Sequence, residues 1–308
     1  MEGSLFYDRA YWETVGEVLL FLVVCRIGIY FLKKFITDKT ARAQASINSW
    51  LFAAPFMLLA CGLPSPGPII VLGLLSIFGT KTFFRMTGMY HRSWFVWLTY
   101  GLQIVLLLLI HFQEADRFYN MMPMIAAGAL FFIPILRNSY SRMLQYISLS
   151  LVAFIFFGWS FLHMARVAYL DGGIYMAMYI YILTEFSEFI SLSTTRLWGK
   201  RKLFQKISSQ FTIEGVLVSL LFTMVLAWGL RHMLPIREEP LWIASGLIAT
   251  LLGRFGDLTV SVIRRDLDIK DSGVFIIGRD DILARVDKLI FVSPVFFYVM
   301  QILLRAYK

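Results

Sequence analysis

The sequence predicts an all-α integral membrane protein, and three observations carry that prediction. The chain is 58% hydrophobic and only 16% charged, where an ordinary soluble domain carries about 25% charged residues. Its mean hydropathy is +0.70. Apolar runs near the length needed to cross a bilayer as a helix recur along all 308 residues, without the apolar–polar alternation of a membrane β-barrel.

Taken in order, the apolar windows predict about ten spans, at roughly 14–32, 50–63, 67–83, 94–112, 120–136, 144–168, 173–193, 213–231, 240–262 and 288–305. Met1 to Glu13 is polar and mixed in charge, with no small-residue cleavage site behind it, so the first apolar run is expected to remain as a helix. The second and third spans are short and are joined by Leu63-Pro64-Ser65-Pro66-Gly67, a sequence that favours a tight hairpin. They either cross or re-enter, and the parity of the count is the same in both cases. The chain divides into an N-terminal set of spans, residues 1–172, and a C-terminal set, residues 173–308, in which the acidic residues of the spans concentrate.

Loop charge sets the expected orientation. The loops after odd-numbered spans hold Lys33, Lys34, Lys39, Arg42, Lys81, Arg85, Arg92, Arg137, Arg142, Arg196, Lys200, Arg201, Lys202, Lys206, Arg264, Arg265, Lys270, Arg279, Arg285 and Lys288. That is 20 of the 29 basic residues, so the positive-inside rule puts these loops in the cytoplasm. The expected setting is the cytoplasmic (inner) membrane, with the charged site facing the cytoplasm. The net charge of +9 is accounted for by basic loops against anionic headgroups and calls for no nucleic acid. Cys25 and Cys61 fall inside apolar runs and read as buried thiols. His91, His111, His163 and His232 show no metal-ligand spacing. Arg26 and Arg166, alone within spans, read as snorkelling or structurally paired residues.

Chemistry is expected where acids are embedded in apolar sequence, because such acids are costly unless they are paired or used. Glu185 and Glu188, three apart, share a helix face. Asp257 sits near the cytoplasmic end of span 9. Between Gly256 and Asp287, 12 of 32 residues are charged. Carboxylates from facing helices can build a Mg²⁺ site, since that ion takes oxygen ligands and phosphate. Lys200, Arg201, Lys202, Lys206, Arg264, Arg265 and Lys270 can neutralise a polyphosphate, although each base taken singly also fits a helix-end topology signal. In Lys270-Asp271-Ser272-Gly273 the Ser and Gly favour exposed backbone amides, which can contact phosphate or simply end a helix.

These residues resemble a known family. Gly256-Asp257, Ser261, Arg264-Arg265, Lys270-Asp271-Ser272-Gly273, Gly278 and Arg285-Val286-Asp287 are similar in order and spacing to the C-terminal signature of the CDP-diacylglycerol synthases (phosphatidate cytidylyltransferases). Upstream, Thr184-Glu185-Phe186-Ser187-Glu188 and the run Lys202, Lys206-Ile207-Ser208, Thr212-Ile213-Glu214-Gly215 resemble a second block of that family. The resemblance covers about residues 184–300. It implies Mg²⁺-dependent attack of phosphatidate, or a related lipid phosphate, on the α-phosphate of CTP, with release of pyrophosphate, in a homodimer set among membrane lipids. It further implies catalytic roles for Asp257, Arg265, Lys270 and Asp271. Nucleotide or phosphate contacts fall to Lys202, Lys206, Ser208, Thr212, Ser261, Arg264 and Arg285, with Arg279 as a further candidate where the chain departs from the family pattern. Metal ligands come from Asp257, Glu188 and Asp287, with Asp280 and Asp281 as further candidates where the chain departs from the family pattern.

The chain also departs from that pattern. The family's H-G-G reads Arg279-Asp280-Asp281, the first acid of its D-R-x-D is Ala284, and a lysine of its upstream block is Phe211. The amide of its N-D pair is replaced by Ser187, with the acid lengthened to Glu188. Two readings follow. In one, the metal position is rebuilt: Asp280 or Asp281, one helical turn before Ala284, reaches it from the same helix face, and Arg279 takes over a phosphate contact. In the other, the chain is a catalytically inactive paralogue that binds lipid or a partner.

Overall fold

Residues 5–33, 51, 54–112, 116–208, 210–267 and 286–307 are described by a computed structural model, and all of the regular structure in them is helical. The helices are α1 (Arg9–Lys33), α2 (Gly67–Met86), α3 (Ser93–Phe112), α4 (Asp116–Leu136), α5 (Met143–Val167), α6 (Gly173–Trp198), α7 (Ile213–Gly229), α8 (Glu239–Asp266) and α9 (Leu289–Ala306). Residues 54–62 are also helical.

Their limits follow from local chemistry. Pro68 stands in the first turn of α2, where its missing N–H has no helical partner to lose. The chain beyond α2 turns at Gly88, whose φ of +69° suits a residue without Cβ. Gly172, at φ +67°, precedes α6, and Gly199 ends it. Thr212 caps α7: its side chain accepts the Gly215 N–H at 3.1 Å. Within α5, residues Phe154–Ser160 widen into a π-helical turn. Ser76 of α2 donates to the Phe157 carbonyl there at 2.6 Å, partnering one of the backbone groups that such a turn loosens.

Among the described residues, α2, α3, Arg117–Leu136 of α4, α5, α8 and α9 are long and apolar enough to cross a membrane. The protein is an all-helical integral membrane protein, and six of the roughly ten expected crossings are met by such helices. The other four expected spans fall on α1, residues 54–62, α6 and α7, which are helical in the described residues; α7 is a shorter apolar helix, and α6 carries two glutamates and a polar second half. In α6, Glu185 stands 13 residues before Trp198, so about 20 Å of helix runs on past it, in the mixed sequence FISLSTTRLW.

The C-terminal helices form a packed group. α6 lies against α7 and α8, α8 against α7 and α9, and α9 also against α5. Small residues let them approach. A Cβ on Gly253 of α8 would stand 3.0 Å from Thr184 Cγ2 of α6. One on Gly215 of α7 would stand 2.4 Å from Thr195 Oγ1 of α6. Antiparallel succession therefore gathers the C-terminal half of α6, the start of α7, the end of α8 and the approach to α9 at one end. Of the isolated spanning bases, Arg26 is exposed. Arg166 is buried between the rings of Tyr119 and Phe297, at 4.5 and 4.2 Å from their centres. Cys61 is partly buried.

Candidate active site

Glu185 and Glu188 lie on one face of α6, as their spacing predicts. Glu185 is buried, with 1% of its surface exposed, and Glu188 is partly buried. An ionised carboxylate in such a place requires a cation or several donors. Lys288, from the turn leading into α9, meets that requirement. Its Nζ donates to Oε1 and Oε2 of Glu185, both at 3.1 Å, and also pairs with Oε2 of Glu188. Lys288 is itself only 5% exposed.

On α8, Asp257 has 30% of its side chain exposed and faces Nη1 of Arg254 at 3.5 Å. Arg254, 3% exposed, donates through Nη2 to the Gln210 carbonyl at 3.3 Å and stands over the Phe211 ring at 5.3 Å. Its Nε and Nη1 have no hydrogen-bond partner among the described residues. Ser261, one turn beyond Asp257, is buried. Arg264 is partly buried and Arg265 exposed at the helix end.

The segment between α6 and α7 folds back over the end of α8. Lys202 bridges to Thr212, and the Leu203 N–H donates to the Phe211 carbonyl at 3.1 Å. Thr212 Oγ1 is 2.7 Å from Thr195 Oγ1. The Glu214 carboxylate accepts the backbone N–H groups of Lys200 and Arg201 at 3.3 Å. With its own amide first among the causes, these donors hold the Glu214 carboxyl below its ordinary value. Arg265 Nε donates to the Ile207 carbonyl at 3.1 Å, tying this loop to α8. Lys202 and Lys206 are exposed on the loop, and Ser208 is buried beneath it.

The turn at 286–288 completes the cluster. A Cβ on Gly256 would stand 2.1 Å from the Asp287 carbonyl and 3.2 Å from Lys288 Cα. The glycine before Asp257 is thus the residue that lets the head of α9 seat on α8. Asp287 is 3% exposed, and its Oδ1 has no hydrogen-bond partner among the described residues. It lies just ahead of the last span, within electrostatic reach of Asp257, Lys288, Glu188 and Arg264. Burial first, and then the Asp257 charge, push its carboxyl up to about 8.

Glu188, Asp257, Ser261, Arg264, Arg265, Asp287, Lys202, Lys206, Ser208 and Thr212 accordingly come from the four elements that meet at one end of the bundle. Lys270, Asp271, Arg279, Asp280, Asp281 and Arg285, together with Ala284, lie outside the described residues. Within the described residues, no group of three or more His, Cys, Asp or Glu is arranged to hold a metal ion. Sequence reasoning passed over two members of the cluster. Arg254 was hidden in the middle of an apolar run, where an Arg three residues before an acid was itself a signal of pairing. Lys288 reads in the sequence as one more loop base, although it adjoins the Asp287 of the motif. A separate cavity of about 150 Å³, lined by Tyr119, Arg166 and Phe297 among others, belongs to the other end of the bundle. Gln301, which also lines it, is 13 residues beyond Lys288, about 20 Å along α9.

The chain is similar to known proteins over most of its length. The model of the cytidylyltransferase family matches residues 43–303. An uncharacterized protein, YnbB, of Escherichia coli (strain K12) is 24% identical over 292 residues, 92% of this chain and 95% of that protein. A phosphatidate cytidylyltransferase of Staphylococcus aureus (strain COL) is 29% identical over 160 residues, covering 51% of this chain and 60% of that enzyme. One of Bacillus subtilis (strain 168) is 36% identical over 106 residues, or 34% and 39% of the two chains. The matches to these two enzymes therefore span less than two thirds of their length.

Proposed function

This chain belongs to the cytidylyltransferase family, and from that premise we propose that it transfers CMP from CTP to phosphatidate or a related lipid phosphate. A phosphate oxygen of the lipid attacks the α-phosphorus of CTP. The bond from that phosphorus to the bridging oxygen breaks, and pyrophosphate leaves with the electron pair. The products are a CDP-lipid and pyrophosphate.

The observation that supports the reading is the proximity of Asp257 and Asp287 beneath a basic loop at one end of the helix bundle. A lipid phosphate anchored in the leaflet and a water-soluble nucleotide can both reach such a place. Exposed Lys202 and Lys206 on the loop, with Arg264 and Arg265 at the end of α8, offer cations to the triphosphate. Ser208 and Thr212 set the loop's course, and Thr212 does so through its cap on α7. Ser261 packs one turn from Asp257. Lys270 and Asp271 take catalytic roles and Arg285 a phosphate contact on the resemblance alone, and Arg279 takes a phosphate contact in the rebuilt form of the motif.

The donor set fits Mg²⁺, which commonly takes one or two carboxylates and completes its shell with water and phosphate oxygens. Asp257 is partly open, and Asp287 has an unpartnered oxygen. These two would hold the ion, with Asp280 or Asp281 as the further ligands the sequence suggests. When bound, Mg²⁺ would supply charge neutralisation on the phosphates. Asp257 also keeps Arg254 beside it, a guanidinium in the neighbourhood of Phe211, where the resembling family carries lysine. The site is proposed to face the cytoplasm from the inner membrane, a side favoured by the basic loops, and the chain to work as a homodimer.

One observation favours a second reading, an inactive paralogue that binds lipid or a partner: Glu185 and Glu188 are already occupied by Lys288. The two are separated by incubating the purified protein with phosphatidate, labelled CTP and Mg²⁺. A labelled CDP-lipid that disappears in Asp257→Asn supports transfer. Lipid binding with neither product nor CTP binding supports the paralogue.

A further inference from the structure

Three carboxylate oxygens, two from Glu185 and one from Glu188, surround the Lys288 ammonium. An ammonium has three protons to donate; here it donates to both oxygens of Glu185 and is paired with Glu188. Lys288 is 5% and Glu185 1% exposed, so water competes little for these bonds and the attraction is correspondingly strong. The ammonium is also placed by rigid packing. Its own Cα and the Asp287 carbonyl press on Gly256 of α8, which fixes the turn from which the side chain reaches α6. The pair Glu185 and Glu188 has the spacing of a metal-binding pair, yet a cation covalently part of the chain lies between its two members.

We propose that Lys288 is a tethered cation, holding by its ammonium the place that a divalent ion would take between Glu185 and Glu188, so that this pair ligates no metal and any bound ion is confined to the Asp257–Asp287 side. The inference rests on the reading of the cluster as a phosphate-transfer site only for what it says of Asp257 and Asp287. The claim about Glu185 and Glu188 stands on their geometry. The chain would thereby differ in metal stoichiometry from a site in which all these carboxylates are open, and Glu188 would act as a positioning residue for Lys288 instead of a ligand.

The test is Mn²⁺ binding, read by electron paramagnetic resonance on the full chain in lipid nanodiscs. Whatever number of Mn²⁺ ions the native chain binds, Glu188→Gln should leave it unchanged. Lys288→Met should bind one further Mn²⁺ per chain, and Lys288→Met with Glu188→Gln should lose that gain. The proposal is overturned if Lys288→Met binds no more Mn²⁺ than the native chain, or if Glu188→Gln alone weakens Mn²⁺ binding about tenfold, as loss of a ligand or its support does. A Lys288→Met protein that folds only when purified with Mn²⁺ counts for the proposal. One that stays unfolded with Mn²⁺ counts against it. Absence of CDP-lipid formation alongside the predicted Mn²⁺ stoichiometries would remove the proposed reaction and leave the tethered cation standing.

Discussion

Lys288 reaches from the head of α9 to Glu185 in the middle of α6, 103 residues earlier in the chain, and donates to both of its carboxylate oxygens at 3.1 Å. Breaking a buried pair of this kind by removing one partner leaves an uncompensated charge, a cost of about 3–5 kcal/mol. Lys288→Met without added metal should therefore lower the thermal midpoint of the detergent-solubilised protein strongly. Lys288→Met with Glu185→Gln, which removes both charges, should recover most of the loss. A single variant as stable as the double would contradict the pairing.

Gly256 carries the seat of that turn. Replacing it with alanine puts a carbon 2.1 Å from the Asp287 carbonyl, a backbone atom that moves only with the head of α9. Overpacking of this sort costs roughly 1–3 kcal/mol. Gly256→Ala should lower the midpoint by that order and displace Asp287 from Asp257. Gly229→Ala, with nothing within 4 Å of the added carbon, should be tolerated. Equal behaviour of the two variants would be evidence against the packing described.

Arg254 joins two parts of the site, through the Gln210 carbonyl and through Asp257. Arg254→Met should loosen the loop and leave Asp257 without its neighbouring guanidinium. We expect KM for CTP to rise about tenfold, equivalent to ~1.4 kcal/mol. Steady-state kinetics over a CTP series checks this, and an unchanged KM would show that Arg254 has no part in seating the nucleotide.

The Glu214 carboxylate ties down the start of the loop. Because the fold depresses its pKa, its contribution to order is present above the unfolded value and fades as pH falls through the lower folded one. Hydrogen exchange at the Lys200 and Arg201 amides should be protected near neutral pH and should rise on acidification below the ordinary carboxylate range. Glu214→Gln should flatten that dependence. The same acid-induced rise in the variant would assign the effect to another group.

Much of this was legible in the sequence, in ways that differ from element to element. Windows of apolar residues identify α2 to α5, α8 and α9 because a bilayer core leaves few other uses for such runs. α6 is less plain in such windows, because it carries Glu185, Glu188 and Thr195, which meets the start of α7. Asp257 and Glu214 could be singled out as acids at the edges of apolar runs, and Ser261 and Thr212 through the family resemblance. Lys288 and Arg254 could not be given partners, because their contacts depend on how α6, α8 and α9 pack, and nothing in a one-dimensional pattern states that a turn 103 residues away will close on Glu185. The expected roles of Asp280 and Asp281 concern residues beyond those described.

The central claim, CMP transfer to a lipid phosphate at Asp257 and Asp287, is tested most directly by one measurement. The purified protein in nanodiscs containing phosphatidate is given CTP labelled at the α-phosphate with Mg²⁺, and label in the lipid fraction is followed over time. The account predicts a labelled CDP-lipid formed with one pyrophosphate each, and its loss in Asp257→Asn and in Asp287→Asn while both variants remain folded. Lipid-borne label that persists in both variants, or native protein that forms none at any concentration of CTP, would contradict it.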